Sequence, residues 1–215
     1  MIEKQFEYAF NEILDFKVDM FKTPLFVFDL TEKKNINEIN KQFKEFSLSE
    51  ELLKNGRIVS NIGGFQTKLV DKDFLPFFNF VNLIDNEINK ALSVLNFKNV
   101  SSVTPTQCWF NVNRKGHINN LHTHSGSDLA LVYYIELPKN NIEGGSIIFS
   151  NPDYFTPMKD LKADSFNEYN SATYRYVPKK HNLLIFESHL QHNVEPNLTD
   201  EARITMSFNL KINQF

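Results

Sequence analysis

Six histidines are the residues of this chain best suited to binding a metal, and all of them lie in its second half. His122 and His124 are separated by one residue, and residues two apart on a β-strand face the same side. His192 comes much later, after an apolar run at 183–186, and can complete a site from another strand. Imidazole is a ligand for Fe(II) and other transition metals. The pattern predicts a metal site, although a bare His-x-His also occurs by chance.

Arg203 begins a second polar group, which is suited to binding a carboxylate. Three polar residues follow it at alternating positions and share its strand face: Thr205, Ser207 and Asn209. A guanidinium beside a hydroxyl binds a carboxylate through paired hydrogen bonds. Asn111 and Asn113 share a strand face just before the histidine pair, and their amides can donate to the same small acid. The alternatives are a surface ion pair for Arg203 and turn chemistry for the two asparagines.

The other reactive residue types have simpler explanations. His117 lies in a predicted turn and His181 follows two lysines, so both are expected at the surface. His189 precedes His192 by three residues, an offset that does not keep one strand face, which favours a supporting or structural role. Cys108 is the only cysteine and stands in an apolar run, so it is expected in the core rather than as a nucleophile.

Short consecutive strands in the second half are predicted to position these groups. Glycine- and proline-containing turn signals separate them, and the predicted strands cover residues 107–113, 119–124, 129–137, 146–149, 174–177, 182–186, 192–194 and 203–212. Many short strands with frequent turns are typical of a sandwich or jelly roll. Residues 151–173 are polar and weakly patterned, and they are predicted to form a long loop that acts as a lid.

The first half mixes helices with a short strand at 25–30. Thr31 is a predicted N-cap for a helix with apolar residues at helical spacing from Ile36 to Phe46. Ser47 and Glu50 have capping-box spacing, which predicts another helix there, and a longer helical pattern covers about 74–95. The chain is predicted to be one domain, 1–215, in which residues 1–100 support a jelly-roll core at 101–215.

Composition excludes several classes of protein. The formal net charge is −3 and no basic stripe is present, which makes nucleic acid an unlikely partner. No stretch is long enough to span a membrane, and the N-terminus lacks a signal segment. A single cysteine excludes an intramolecular disulfide and suits a reducing compartment, so the cytoplasm is the expected location, the host's if a phage encodes the chain.

The order of the motifs resembles a known family. The relevant segments are Asn111-x-Asn113-x-x-Gly116, Leu121-His122-x-His124, the apolar run 131–135, Gly144-Gly145 with the following strand, residues 183–197 and residues 203–209. This series is similar to a family of 2-oxoglutarate- and Fe(II)-dependent oxygenases found in bacteria and in tailed phages of marine cyanobacteria. Residues 65–68 after Gly63-Gly64 are similar to an N-terminal element of the same family.

The resemblance implies a mainly β fold with flanking helices, in which N-terminal helices pack on a double-stranded β-helix (jelly-roll) core. It implies iron bound by His122 and His192. It also implies that Arg203 pairs with the distal carboxylate of 2-oxoglutarate, helped by Thr205 or Ser207 and by Asn113, with Asn111 as a further donor.

The third iron ligand departs from the broader superfamily, which has an aspartate or glutamate where this chain has His124. A neutral ligand leaves the iron one unit more positive. His124 is the predicted third ligand. The alternative is that His124 turns away and Asp128 or a water completes the shell.

The function implied is an Fe(II)- and 2-oxoglutarate-dependent dioxygenase that hydroxylates a peptidyl residue or a small molecule with O₂. One alternative is a non-catalytic metal-binding jelly roll, and another is a three-histidine iron oxygenase that does not use 2-oxoglutarate. The oligomeric state stays open, with a homodimer among the alternatives.

Overall fold

The computed structural model describes residues 22–70, 73–152, 164–165, 167 and 170–215. Most of the predicted lid at 151–173 therefore lies outside the described residues. Among the described helices, none is long and apolar enough to cross a membrane.

Three helices lie in the described part of the first half of the chain: α1 (Ile36–Leu52), α2 (Leu75–Leu83) and α3 (Asp85–Leu95). The prediction of Thr31 as N-cap is wrong, because α1 begins after Asn35, whose backbone is left-handed (φ 66). The helix start predicted at Ser47 is also wrong. Ser47 lies inside α1, where its hydroxyl donates to the Lys44 carbonyl at 3.0 Å and does not cap a new helix. The pattern over 74–95 is divided at Ile84, which is fully buried and leaves the helical conformation (φ −100, ψ 9).

Within the residues that the structure describes there are eleven strands, in this order: β1 (Phe26–Asp29), β2 (Asn61–Ile62), β3 (Phe65–Gln66), β4 (Val100–Asn113), β5 (Ile118–His122), β6 (Leu129–Glu136), β7 (Ile147–Ser150), β8 (Thr173–Tyr176), β9 (Asn182–Glu187), β10 (His192–Val194) and β11 (Arg203–Gln214). They form two antiparallel sheets. The large sheet has the order β1-β9-β6-β11-β4-β3, and the small sheet has the order β2-β5-β10-β7-β8. All eight strands predicted in the second half are present, although β4 begins earlier, at Val100, and β5 ends at His122, so the prediction that His124 lies on the same strand is wrong.

The large sheet is buried on both faces. One face packs with the helices through residues that include Leu131, Tyr133 and Phe208. The opposite face packs toward the small sheet through residues that include Val132 and Tyr134. Because side chains alternate along a strand, β6 reads as an unbroken apolar run while its odd and even residues serve different cores.

An aromatic cluster fixes the helices on the large sheet. The ring of Phe43, in α1, lies within 6.4 Å, centroid to centroid, of four aromatic rings: Phe74, Phe80, Phe110 and Tyr133. Such pairs add to the stabilisation that burial of each ring gives. The helices thereby cover one face of the sheet, and the polar face of β11 is left to the space between the two sheets.

Candidate metal centre

The structure brings three histidines together between the sheets. His122 ends β5, His192 begins β10, and the two are direct partners in the strand register. His124 lies just beyond the end of β5, where its backbone N–H donates to the Ser188 carbonyl at 2.8 Å. One ligand nitrogen from each ring lies within 4.8 Å of the other two, and we call this group the histidine cluster.

In each ring of the histidine cluster, the same nitrogen, Nδ1, forms a hydrogen bond to an oxygen atom. Nδ1 of His122 donates to the Asn120 carbonyl (2.6 Å), Nδ1 of His192 donates to the Leu190 carbonyl (2.9 Å), and Nδ1 of His124 donates to Oδ1 of Asn209 (2.7 Å). A carbonyl oxygen only accepts, so the proton of each neutral imidazole is on Nδ1. Every Nε2 therefore carries a lone pair, which is the form that binds a metal.

The arrangement of these lone pairs fits a bound cation. Nε2 of His124 and Nε2 of His192 lie 3.2 Å apart, and neither carries a proton. Two lone pairs at that distance repel each other unless a positive charge lies between them. Imidazole–metal bonds of about 2.1 Å place two adjacent ligand nitrogens about 3 Å apart, close to the separation found here.

Burial keeps the imidazoles of the histidine cluster in the neutral form that binds a metal. Desolvation, with a smaller effect of His122, lowers the pKa of His124 to about 4 and that of His192 to about 3. Desolvation also lowers the pKa of His122. All three imidazoles are therefore neutral at pH 7, and a metal does not have to displace a proton from them.

Asp128, the alternative third ligand, is hydrogen-bonded to residues of β11. Its carboxylate accepts from Lys211 Nζ at 3.0 Å and from the Ile212 backbone N–H at 2.7 Å. These contacts lower the pKa of Asp128 and tie it to β11, outside the cluster of possible ligands. The alternative in which His124 turns away in favour of Asp128 is therefore wrong for this structure.

A cavity opens beside the histidine cluster, with an empty volume of about 420 Å³ that includes the space at its mouth. Of the residues predicted to bind the co-substrate, four line it: Asn111, Arg203, Thr205 and Ser207. Asn113 does not line it, but its amide donates to Oδ1 of Asn119, which does (3.1 Å). Sequence reasoning missed the other lining residues, namely Ser60, Trp109, Asn119, Val132, Tyr134, Ile147 and Val194.

Arg203 lies in this cavity with one edge of its guanidinium unused. Nη1 donates to the Gly145 carbonyl at 2.9 Å, and Nη2 has only a long contact of 3.5 Å to Asn119 Oδ1. Nε is buried without a partner. Desolvation lowers the pKa of Arg203 to about 10, so the group is still charged at pH 7. A buried cation with a free Nε–Nη2 edge matches the two oxygens of a carboxylate.

The histidines outside the cluster are placed differently from the predictions in two cases. His181 is buried (8% exposed), and its Nδ1 lies 2.9 Å from the Tyr133 hydroxyl, so the expected surface position is wrong. His189 is exposed in the turn before β10 and does not contact the cluster, so a supporting role there is also wrong. Cys108 is buried in the core, as predicted.

Comparisons with known proteins agree with this geometry. A sequence model of the family described as "Putative 2OG-Fe(II) oxygenase" matches residues 107–209. No curated protein matches the chain. A prolyl-4-hydroxylase from Pseudomonas putida is similar in structure, with a TM-score of 0.61 and 12% identity, over 89% of this chain and 94% of that chain.

Two further solved structures have a TM-score of 0.58 over 88% of this chain and 83% of their own. One is a prolyl hydroxylase from Trichoplax adhaerens in complex with a hypoxia inducible factor peptide fragment, at 14% identity. The other is HygX from Streptomyces hygroscopicus with nickel and 2-oxoglutarate bound, at 12% identity. At these identities the likeness concerns the fold, which is the predicted double-stranded β-helix with flanking helices.

Proposed function

Because residues 107–209 match the model of the 2OG-Fe(II) oxygenase family, we propose that the histidine cluster holds an iron ion and that Arg203 binds 2-oxoglutarate. The observation that carries the first assignment is the 3.2 Å approach of Nε2 of His124 to Nε2 of His192, in two rings whose Nδ1 atoms are already bonded to oxygen acceptors. The family and the fold identify the chain as an iron- and 2-oxoglutarate-dependent oxygenase. The assignment of individual residues is our proposal.

The co-substrate position is inferred from the unused edge of Arg203. The distal carboxylate of 2-oxoglutarate would accept from Nε and Nη2, while Nη1 stays on the Gly145 carbonyl. Thr205 and Asn111 line the same cavity and offer a hydroxyl and an amide. Tyr134 also lines the cavity, and burial raises the pKa of its hydroxyl, which stays protonated and can donate a hydrogen bond.

The residues of the chain bind, orient and shield the reactants. Iron with 2-oxoglutarate and O₂ supplies the oxidising power that inserts oxygen into a C–H bond, with succinate and CO₂ as co-products. The histidine cluster presents three Nε2 lone pairs, and Arg203 fixes the far end of the keto acid. Val132 and Ile147 line the cavity with apolar surface, which limits the access of water to the reacting centre.

For the substrate, we propose a peptidyl residue or a small molecule that is hydroxylated at a carbon. Both classes occur among proteins of similar fold, since one neighbour binds a peptide fragment and another HygX structure contains hygromycin B. Among the described residues, those that line the cavity do not include an aspartate or glutamate that would select a cationic substrate. We propose the cytoplasm as the site of action, in keeping with the single cysteine.

Succinate formation tests the proposal. Protein purified without oxygen is given Fe(II) and 2-oxoglutarate, exposed to air, and assayed for succinate. Wild type is expected to form succinate, His192→Ala is expected to form none, and His189→Ala, a nearby exposed histidine, is expected to behave as wild type.

The result also separates the two alternatives. Metal binding without succinate, and without O₂ consumption, would favour a non-catalytic metal-binding jelly roll. Consumption of O₂ that does not depend on 2-oxoglutarate would favour a three-histidine oxygenase of another type. Equal succinate formation by wild type and His192→Ala would overturn the iron assignment.

A further inference from the structure

We propose that Asn209 is the positioning residue of the third iron ligand: its side-chain oxygen holds His124 in the tautomer and orientation that present Nε2 to the metal. The inference rests on the proposed iron site and goes beyond it, because Asn209 does not itself touch the metal. It assigns a role to a residue at the end of the polar face of β11, six residues beyond Arg203.

The three rings of the histidine cluster are held in two different ways. His122 and His192 each donate to the main-chain carbonyl two residues earlier, that of Asn120 and that of Leu190. Any residue at those positions supplies that acceptor. His124 lies beyond the end of β5 and does not use this local acceptor, but donates to a side chain on another strand, Asn209 Oδ1, at 2.7 Å. The orientation of His124 therefore depends on the residue type at position 209, whereas the orientations of His122 and His192 depend only on main-chain carbonyls.

The amide of Asn209 is itself oriented. Asn209 is 3% exposed, and its Nδ2 donates to Oε1 of Gln107 at 3.3 Å. The two residues are direct partners in the register between β11 and β4. With Nδ2 turned toward Gln107, Oδ1 is the atom that faces His124. This oxygen cannot donate, so it selects the His124 tautomer that has its proton on Nδ1.

Stacking alone does not replace this hydrogen bond. The ring of Trp109 stacks on His124 with centroids 5.5 Å apart and an interplanar angle of 23°. Such a contact restricts the plane of the imidazole but does not distinguish its two nitrogens. Without an acceptor at position 209, the proton can move to Nε2, and that tautomer has no lone pair for the metal.

Cobalt binding tests the role directly, with Co(II) as the probe. Trp109 is the only tryptophan in the chain and contacts a ligand ring, so quenching of its fluorescence reports occupancy of the site. Asn209→Leu keeps the side-chain size but removes the acceptor, and it is expected to weaken Co(II) binding about 10- to 100-fold, the usual effect of losing a hydrogen bond to a ligand. The visible ligand-field spectrum of bound Co(II) is also expected to change, which a general loss of stability would not cause.

Asn209→Asp is the conservative variant, since it keeps an acceptor at the same place and Gln107, which is exposed, can turn its amide to donate. It is expected to restore Co(II) affinity to the wild-type value or above it. Asn213→Ala is the matched control, because Asn213 lies on the same strand and pairs with Ser102 and Thr104, away from the site. It is expected to bind Co(II) as wild type does.

The outcomes separate this inference from the proposed iron site. If wild type does not bind Co(II), or if His124→Ala binds it as tightly as wild type, the metal assignment fails. If His124→Ala weakens binding but Asn209→Leu binds within twofold of wild type with an unchanged spectrum, the metal assignment stands and the role of Asn209 is refuted. Failure of Asn209→Asp to restore affinity lost in Asn209→Leu also counts against an acceptor role.

Discussion

Replacement of Arg203 by lysine is the sharpest test of the co-substrate site. Arg203 uses Nη1 on the Gly145 carbonyl and keeps Nε and Nη2 for a carboxylate. An ammonium on a flexible stem cannot hold the Gly145 carbonyl and both carboxylate oxygens in the same geometry. At least one charge-assisted hydrogen bond is lost, and such a bond contributes about 1.5–3 kcal/mol. That free energy corresponds to a loss of 2-oxoglutarate affinity of about 10- to 150-fold.

The assay compares two keto acids on metal-loaded protein. Affinity for 2-oxoglutarate is expected to fall in Arg203→Lys, whereas affinity for 2-oxobutyrate, which lacks the distal carboxylate, is expected to stay unchanged. Co(II) affinity is also expected to stay unchanged, because Arg203 does not contact the histidine cluster, and this result establishes that the variant is folded. Arg175→Lys is the control, since Arg175, on β8, forms a half-exposed ion pair with Glu195. Equal 2-oxoglutarate affinity in wild type and Arg203→Lys would refute the assignment.

Two further predictions concern stability. The pKa values of His124 (about 4) and His192 (about 3) in the folded protein lie below the ordinary value of about 6.5, so the unfolded chain binds more protons between these values. The metal-free protein is therefore expected to lose stability as the pH falls from about 6.5 toward 4. The loss is up to about 1.4 kcal/mol per pH unit for each histidine. Urea unfolding in chelator at pH 7 and pH 5 measures this, and equal stability at the two values would contradict it. Phe43→Ala is expected to reduce the free energy of unfolding by about 3–5 kcal/mol, because Phe43 is fully buried, whereas the exposed Phe78→Ala is expected to have little effect.

The strand pattern of the second half could be predicted because alternation is a local property of the sequence. Arg203, Thr205 and Ser207 were expected on one face from their spacing, and they line the cavity. The pairing of His122 with His192 follows from a register between distant strands, which spacing alone does not give. The family resemblance, by contrast, implies that both segments bind the same iron.

The residues that were missed lie where the local pattern carries no signal. Tyr134 stands in an unbroken apolar run, and only the burial of β6 on both faces reveals that it faces the cavity. Asn119 begins a predicted strand and has no apolar or charged pattern that marks it for the cavity, yet it is buried and accepts from Asn113. His181 follows two lysines, but a left-handed backbone (φ 67) turns it into the core, where it meets Tyr133.

As the proposed third iron ligand, His124 would change the charge of the site and with it the binding of the co-substrate. Among the described residues that line the cavity, Arg203 is the only one charged at pH 7, since none of them is an aspartate or glutamate and the imidazoles are neutral. A carboxylate in place of His124 would cancel one of the two charges of Fe(II), whereas His124 leaves both. The two negative charges of 2-oxoglutarate therefore meet a more positive, buried site, where the attraction is stronger than in water. Metal and keto acid should then favour each other's binding reciprocally, with His124, held by Asn209, as the residue that sets the strength of this coupling.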